Sequence, residues 1–143
     1  MYLICCVDDR MGMTFGKRRV SRDRLLVSDM ISLIEEKIGG KLVMESYSME
    51  LFAEEESLPE IVTAEKPLEV AGVSDYCFDE RFAPAGYAAE IEKIVLYRWN
   101  RAYPATVHFD IDLDDGQWIK EESEDFCGNS HDKITREIWR RKQ

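Results

Sequence analysis

The chain has 143 residues, 45% of them hydrophobic, and a formal net charge of −10 at pH 7; this length favours a single domain, residues 1–143, with a real hydrophobic core. The acidic balance makes a nucleic-acid partner unlikely, because backbone phosphates must be neutralised by Lys and Arg. No run of 18 apolar residues occurs and residues 2–7 are too short for the hydrophobic part of a signal peptide, so we expect a soluble, cytoplasmic protein with no membrane association.

The first predicted element is the apolar run Tyr2-Leu-Ile-Cys-Cys-Val7, which is followed at once by Asp8 and Asp9. A run that is short and uniformly apolar predicts a strand buried on both faces of a sheet. Adjacent strand residues face opposite sides, so Cys5 and Cys6 are expected in different layers. Ligands of such sheets lie beyond the carboxyl ends of the strands, which directs attention to the loop after this strand.

Residues 9–22 are predicted to form a turn at Gly12 followed by a loop. From about Asp23 the apolar residues recur at helical spacing, and the pair Gly39-Gly40 is suited to end that helix. The apolar stripe consists of Leu26, Met30, Leu33, Ile34 and Ile38.

The middle of the chain alternates short strands and helices. Residues 41–44 predict an inner strand. Ser46 or Ser48 is suited to cap a second helix, which continues through Phe52 and the acidic run 54–56 and is ended by Pro59. The remaining predicted elements are a strand at 60–65, a one-turn helix at 67–72, a strand at 74–78, a short helix at 84–90 and a strand at 91–99.

The C-terminal third predicts strands. Residues 107–113 alternate apolar and polar side chains, and residues 118–126 are expected to be extended with their charges facing water. Residues 130–141 fit helix and strand periodicity equally well, so propensity leaves both open. The alternation of strands and helices along the chain predicts an α/β sandwich.

Two local features are candidates for function. The segment from Lys17 to Arg24 includes Lys17, Arg18, Arg19 and Arg22, a concentration of positive charge that is either a solvated loop or an anion-binding lid. The two histidines, His108 and His131, are interpreted as surface or hairpin residues. Neither they nor the four cysteines have the spacing of metal ligands, so we predict no metal site.

In the order of its segments the chain resembles dihydrofolate reductase. The segments that carry the resemblance are Lys93-Ile-Val-Leu96, Thr106-Val-His-Phe109, Trp118 with its acidic run, Asn129-Ser-His131 and Glu137-Ile-Trp-Arg-Arg141. The opening also fits, with an apolar strand, Gly12-Met13 and an acid just before an apolar helix. The resemblance implies a three-layer α-β-α sandwich around a central mixed sheet, closed by a C-terminal antiparallel β-hairpin, and it resolves residues 130–141 in favour of strand.

The resemblance also implies site residues. In that family an acid at the position of Asp23 lies in an apolar pocket and supports protonation of the substrate, which requires a pKa raised by burial. The alternative for Asp23 is a plain first-turn helix acid. Ile4, Met44 and Tyr87 are candidates to line the same cleft, with core packing as the alternative. Tyr97 falls where the family has a small polar residue near the acid.

The cofactor side departs from the family. The family's Gly-Gly turn before a helix, which faces the NADPH diphosphate, is replaced here by residues 77–84 without a glycine pair. The family's basic residue after the second strand is replaced by Glu45-Ser46, and a carboxylate cannot serve a phosphate. The segment between Phe52 and Tyr76 is also shorter than the family's adenosine-binding region, so the cofactor-binding region, at about 53–90, is reduced. Ser48 is the one residue carried over for cofactor contact.

Three functions are therefore open. The first is a divergent domain without the usual NADPH site, which binds a small anionic molecule or a protein through residues 17–24 and the Asp23 cleft and needs no cofactor. The second is an NADPH-dependent reductase of a pterin-like or other small heterocycle. The third is a regulatory or interaction protein that uses its acidic face. The substrate and the oligomeric state are not specified by the sequence.

Overall fold

The computed structural model describes residues 1–36 and 40–143. Its elements, in chain order, are β1 (Tyr2–Val7), β2 (Gly12–Phe15), β3 (Arg18–Arg19), α1 (Arg24–Glu35), β4 (Leu42–Met44), a 3-10 helix (Ser46–Phe52), β5 (Ile61–Thr63), α2 (Pro67–Val70), β6 (Tyr76–Phe78), a second 3-10 helix (Ala85–Glu90), β7 (Lys93–Arg98), β8 (Val107–His108), β9 (Trp118–Phe126) and β10 (Ile134–Arg141). Among the described residues, no helix is long and apolar enough to cross a membrane.

The main sheet has seven strands in the order β5-β4-β6-β1-β7-β10-β9. β1 pairs in parallel with both β6 and β7, and β4 pairs in parallel with β5 and β6. β10 runs antiparallel to β7 and β9, so the predicted C-terminal hairpin and the mixed sheet are confirmed. Because β4, β6, β1 and β7 are parallel, their carboxyl ends meet at one edge of the sheet, where ligands of such folds bind.

The apolar core forms two layers separated by this sheet. Ile4 belongs to the layer under α1 and the first 3-10 helix, whereas Leu3 and Cys5 belong to the layer under α2 and the second 3-10 helix. Cys6 packs on the α1 side, so the two adjacent cysteines do lie in different layers. Burial of each large side chain contributes roughly 1.5–3 kcal/mol, which explains why an uninterrupted apolar run occupies the centre of the sheet.

Helix α1 begins and packs as its periodicity predicts. Asp23 is the N-cap residue, and its side chain accepts a hydrogen bond from the backbone N–H of Leu25. The buried face includes Leu26, Met30 and Ile34, and Leu33 packs at its border. The predicted positions Ile38 and Gly39 lie outside the described residues.

The segment predicted as a loop after Gly12 is a β-hairpin. β2 and β3 pair antiparallel, and β8 pairs on the other side of β2 to complete a second, three-stranded sheet. Gly16 and Lys17 form the turn, with φ of 56° and 69°. Such a turn requires positive φ at both central residues, and a lysine at the second position gives little signal of it in the sequence.

Two further predictions differ from the structure. The helix after β4 is a 3-10 helix that ends at Phe52, before the acidic run 54–56 and Pro59 that were predicted to complete it. Its N-cap residue is Glu45 and no side chain caps it, so neither Ser46 nor Ser48 has the predicted capping role. The strand predicted over 107–113 is paired only at Val107–His108. Phe109, Ile111 and Leu113 nevertheless bury their side chains. The alternation of apolar and polar residues therefore indicates which side chains are buried, although residues 109–113 are not paired as a strand.

The two edges of the main sheet differ. β5, at one edge, has only three residues. β9, at the other, has nine, and the charged residues Lys120, Glu121, Glu122, Glu124 and Asp125 are exposed along it.

Candidate functional site

A polar cluster around Asp23 lies where β3 leads into α1. The Asp23 carboxylate is buried, and it accepts five hydrogen bonds. Oδ1 accepts from the backbone N–H groups of Leu25 and Asn129, both at 2.9 Å. Oδ2 accepts from the backbone N–H of Ser130 at 2.8 Å, from the Ser130 hydroxyl at 3.2 Å and from Nδ1 of His131 at 3.1 Å. The acid therefore joins the start of α1 to the loop between β9 and β10.

These donors reverse the pKa shift that burial alone would produce. Burial raises the pKa of Asp23, but the hydrogen bonds from Asn129, Ser130, His131 and Leu25 outweigh it and lower the pKa to about 2. The sequence predicted a pKa raised by burial, so that condition for a proton donor is not met in this geometry. Asp23 is ionised at neutral pH and acts as an acceptor.

Gly128 allows the loop to approach this carboxylate closely. A Cβ at position 128 would lie 2.5 Å from Oδ2 of Asp23 and 2.8 Å from Cδ1 of Ile134. The Gly128 backbone N–H donates to the carbonyl of His131 at 2.9 Å, which closes the loop. A glycine is required here because any side chain would push the loop away from the acid.

His131 was predicted to be a surface or hairpin residue, but in the folded chain it lies at the centre of the polar cluster around Asp23. It lies in the loop between β9 and β10 as expected, but its ring is buried and stacks on Trp99 with 4.6 Å between ring centroids. Its Nε2 lies 3.0 Å from the hydroxyl of Ser21 and 3.1 Å from that of Tyr103. Because 108 residues separate His131 from Asp23, no local pattern signals the pair. His108, by contrast, is exposed.

A narrow cleft opens beside this cluster. Its free volume is about 20 Å³, roughly the space that one water molecule requires. The lining residues are Cys6, Met13, Arg19, Ser21, Arg22, Asp23, Leu26, Val27, Leu51, Phe78, Glu80 and Trp99. The indole Nε1 of Trp99 is buried and has no hydrogen-bond partner among the described residues.

The residues predicted to line the cleft are elsewhere. Ile4, Met44 and Tyr97 are fully buried in the core layer under α1 and do not form the cleft wall. The Tyr97 hydroxyl donates to Asp29 at 2.6 Å, away from Asp23. Tyr87 packs on the opposite face of the sheet, and its hydroxyl donates to Glu69 at 3.0 Å. Tyr87 is therefore not brought together with the other three.

The basic segment divides into paired and unpaired cations. Lys17, Arg18 and Arg22 are exposed, and within the described ranges none of them forms an ion pair within 4.0 Å. Arg19 is half-buried, donates to Glu80 at 2.7 Å and 3.0 Å, and also pairs with Glu50. The prediction that all four cations are available to an anion is therefore wrong for Arg19, whose guanidinium is occupied by carboxylates of the same chain.

A second ion pair lies beside Arg19 at the carboxyl ends of β4 and β6. Nε and Nη2 of Arg81 donate to the two carboxylate oxygens of Glu45, at 2.9 Å and 2.7 Å. The guanidinium groups of Arg19 and Arg81 each lie over the ring of Tyr47, at 4.2 Å and 4.3 Å from its centroid. Ser48, carried over as a cofactor contact, instead donates its hydroxyl to Glu80 at 2.7 Å.

Asp79, next to this network, is a buried acid that the sequence analysis did not single out. Its carboxyl group accepts from the backbone N–H of Phe82 at 3.0 Å, and the Cys5 thiol lies 4.0 Å away. Burial raises its pKa, the Phe82 N–H opposes that effect and the negative charge of Glu45 adds to it, giving a pKa of about 7. The feature of the sequence that could have identified Asp79 was its position directly after the apolar strand β6.

No metal centre accompanies these groups. Among residues 1–36 and 40–143, no cluster of three or more His, Cys, Asp or Glu side chains is arranged to hold a metal ion.

Comparison with known proteins identifies the fold. No family model matches the sequence, and no curated protein matches it. Among solved structures, dihydrofolate reductase from Enterococcus faecalis, complexed with NADP(H) and RAB-propyl, superposes with a TM-score of 0.62 over 99% of this chain and 96% of that chain. The two sequences are 8% identical. The chain therefore has a dihydrofolate reductase-like fold, and the predicted architecture is confirmed.

Proposed function

We propose that this dihydrofolate reductase-like domain binds a small anionic molecule through Arg18 and Arg22, at the mouth of the Asp23 cleft, and that it does not hold NADPH in the family's usual way. Fold and function are separate matters, because one fold serves many activities. The proposal therefore depends on the side chains at the carboxyl edge of the sheet.

The observation that carries the proposal is the pair of unpaired arginines. Arg18 and Arg22 line a groove of about 430 Å³ together with Arg19, Tyr47 and Glu50. Arg22 also lines a second groove of about 320 Å³ beside Asn129 and Ser130. These volumes suit a small ligand. In a chain with a net charge of −10, two exposed guanidinium groups that form no ion pair within 4.0 Å among the described residues mark a local site for carboxylate or phosphate.

The ion-pair network argues against a dinucleotide at the same edge. Glu80 and Arg81 occupy the place of the family's Gly-Gly turn, and Glu45 occupies the place of its basic residue. Glu45 and Glu80 are both buried and already bind Arg81 and Arg19. A diphosphate would have to displace those arginines from their carboxylates and would then face two negative charges.

The cleft itself argues against a pterin ring in the family's position. Its free volume of about 20 Å³ is roughly that of one water molecule, so a bicyclic ring would require side chains to move. Asp23 is also ionised at neutral pH, because hydrogen bonds lower its pKa to about 2. These two observations support a ligand position over the mouth of the cleft and not inside it.

The reductase alternative has one observation in its favour. The similar solved structure is a dihydrofolate reductase complexed with NADP(H). If this chain reduces a heterocycle, NADPH is the cofactor to test first, and it would bind in an arrangement different from the family's.

Ligand titration tests these alternatives. Inorganic phosphate, citrate, NADPH and dihydrofolate would be added separately while the melting temperature and the heat of binding are measured. We expect phosphate or citrate to bind, and the double variant Arg18→Ala/Arg22→Ala to bind at least tenfold more weakly with an unchanged melting temperature. Lys66→Ala is the matched control, because Lys66 is an exposed cation beside α2, on the other face of the sheet.

Three outcomes would overturn the proposal. Equal anion affinity before and after the double substitution would remove the arginine site. Tight NADPH binding with turnover of dihydrofolate would establish the reductase alternative. If none of the four compounds binds, the proposal is also contradicted, and an interaction protein that uses its acidic face is favoured.

A further inference from the structure

The Asp23 cluster contains a second arrangement that the proposed function does not use. Ser21, His131 and Asp23 form a chain of contacts in which the serine hydroxyl lies 3.0 Å from Nε2 and Nδ1 lies 3.1 Å from the carboxylate. These are the contacts by which a serine, a histidine and an acid form a nucleophilic triad, which is identified by geometry and not by order in the sequence. We propose that Ser21 is a nucleophile for acyl transfer, with His131 as its general base and Asp23 as the positioning residue.

The protons in this chain of contacts can be assigned from chemistry. Asp23 is a carboxylate at neutral pH and can only accept, so Nδ1 of His131 must carry the ring proton of the neutral imidazole. Nε2 is then the acceptor, and a hydroxyl must donate to it. The Tyr103 hydroxyl lies 3.2 Å from Oγ of Ser21 and 3.1 Å from Nε2, and when it donates to Oγ the Ser21 proton is directed at Nε2, 3.0 Å away. This is the protonation state that a general base needs before it activates a serine.

The histidine is held in place by more than one contact. Its ring is buried and stacks on Trp99 with an interplanar angle of 28°. The Ser130 hydroxyl also lies 3.2 Å from Nδ1. A ring fixed on both its face and its edge keeps Nε2 aimed at Ser21 without reorganisation during the reaction.

The nucleophile is accessible from the narrow cleft. Ser21 is only half-buried and forms part of the cleft wall. Trp99 lines the same cleft, and its indole N–H is unpaired within the described part of the chain. The backbone N–H groups of Arg22 and Asp23, directly after the nucleophile, likewise have no acceptor among the described residues. The two backbone donors are the candidates to stabilise an oxyanion, because the Trp99 indole nitrogen is itself buried.

The reaction is ester hydrolysis. Oγ of Ser21 bonds to the ester carbonyl carbon while its proton passes to Nε2 of His131. The carbon–oxygen bond to the alcohol then breaks, and the alcohol leaves with the proton from Nε2. Water attacks the acyl group on Ser21, gives a proton to Nε2 and releases the carboxylic acid, and Oγ recovers that proton.

The cleft volume and the neighbouring charge define the substrate class. The small free volume at Ser21 disfavours all but a short acyl group, and side chains of the cleft must move to admit it. Arg22 follows Ser21 in the chain and is exposed, so an alcohol portion that carries a carboxylate or phosphate is favoured. This preference for an anionic ester rests on the proposed function, whereas the nucleophile does not.

Covalent labelling of the full chain with a neutral fluorophosphonate tests the nucleophile. We expect one label per chain, located at Ser21 by peptide mass mapping. Ser21→Ala should abolish labelling, and His131→Gln should slow it at least 100-fold. Ser28→Ala is the matched control and should label like the wild type, since the Ser28 hydroxyl donates to Glu55 at 2.8 Å and contacts no histidine.

Asp23 acts through His131, so its test must measure a quantity that would not change if Asp23 had only a structural role. For Asp23→Asn we expect slower labelling and a labelling rate whose pH midpoint lies lower than in the wild type, because the imidazolium loses its carboxylate partner. Melting curves of each variant separate these effects from loss of folding.

Comparison of two esters separates this inference from the proposed function. Wild-type protein should hydrolyse 4-acetoxybenzoate, an anionic ester, at least tenfold faster than 4-nitrophenyl acetate after correction for their intrinsic reactivity, and Arg22→Ala should lose that preference while Ser21 is still labelled. If Ser21 is labelled but the wild-type protein shows no preference for the anionic ester, the anion site is contradicted and the nucleophile is not. No label on wild-type Ser21, a label on another residue, or undiminished labelling of a folded His131→Gln variant would overturn the nucleophile.

Discussion

Asp23 and Asp79 are both buried at the carboxyl edge of the same sheet, but they differ in how many donors reach them. Asp23 accepts from three backbone N–H groups, a hydroxyl and an imidazole, and its pKa falls to about 2. Asp79 has the N–H of Phe82 as its close partner and lies near the charges of Glu45 and Glu80, and its pKa rises to about 7. Burial alone therefore does not set the sign of a pKa shift; the supply of donors does.

The same contrast holds for the regions around the two acids. The Asp23 side leaves cations and a half-buried hydroxyl available at a cleft. The Asp79 side joins its charges to one another through Arg19, Arg81, Glu45 and Glu80. On the first side Arg18 and Arg22 form no ion pair within 4.0 Å among the described residues, and on the second side the charges are held in internal ion pairs.

The largest expected effect comes from breaking the closed side. Arg19→Met should lower the free energy of unfolding by about 3–5 kcal/mol, because Glu80 would remain buried without its charge partner. Urea denaturation at pH 7 measures this. The second substitution Glu80→Gln, made in the Arg19→Met background, should recover most of the loss. A loss below about 1 kcal/mol for Arg19→Met, the value of a surface pair, would show that the network is not structural.

The next largest effect follows from the raised pKa of Asp79, which contrasts with the lowered pKa of Asp23. Because the folded pKa of Asp79 is raised to about 7 from an ordinary 3.8, the folded state holds its proton more tightly than the unfolded state, and stability falls as pH rises from about 4 to about 7. Asp79→Asn should remove this loss and raise the free energy of unfolding by up to about 4 kcal/mol at pH 8, with little change at pH 4. A variant that is destabilised at pH 8 would contradict the assignment.

Asp23 should show the opposite pH dependence with a smaller magnitude. Its folded pKa is lowered to about 2, so its contribution is fully present above about pH 4 and is lost as pH falls toward 2. Asp23→Asn should cost about 2 kcal/mol at pH 7, and its deficit relative to the wild type should shrink between pH 4 and pH 2. Asp132→Asn, at an exposed acid of the same loop, serves as the control. A deficit independent of pH would mean that Asp23 is held by shape and not by charge.

The elements of the fold that were predicted from the sequence are those that depend on local patterns of hydrophobicity. β1, α1 and the β9–β10 hairpin follow from such patterns, together with the family resemblance that decided the last strand. The β2–β3 hairpin was missed because its turn depends on the backbone conformation of Gly16 and Lys17. The site was only half found: Asp23 was identified, but its partner His131 is a distant residue that only the folded chain brings close. Arg19 was identified as a cation, but its carboxylate partners lie on other elements.

The charged outer strand of the main sheet has a consequence for the behaviour of the protein at high concentration. β9 has a free edge, and unpaired backbone groups on such an edge can template a strand from another molecule. A second copy of β9 aligned there would crowd charged side chains together and would disturb the ion pairs that Glu121, Glu122 and Glu124 form with Lys93, Arg136 and Arg140. The charged side chains of β9 thus disfavour edge-to-edge pairing, and this protection should weaken at high salt, where the charges are screened.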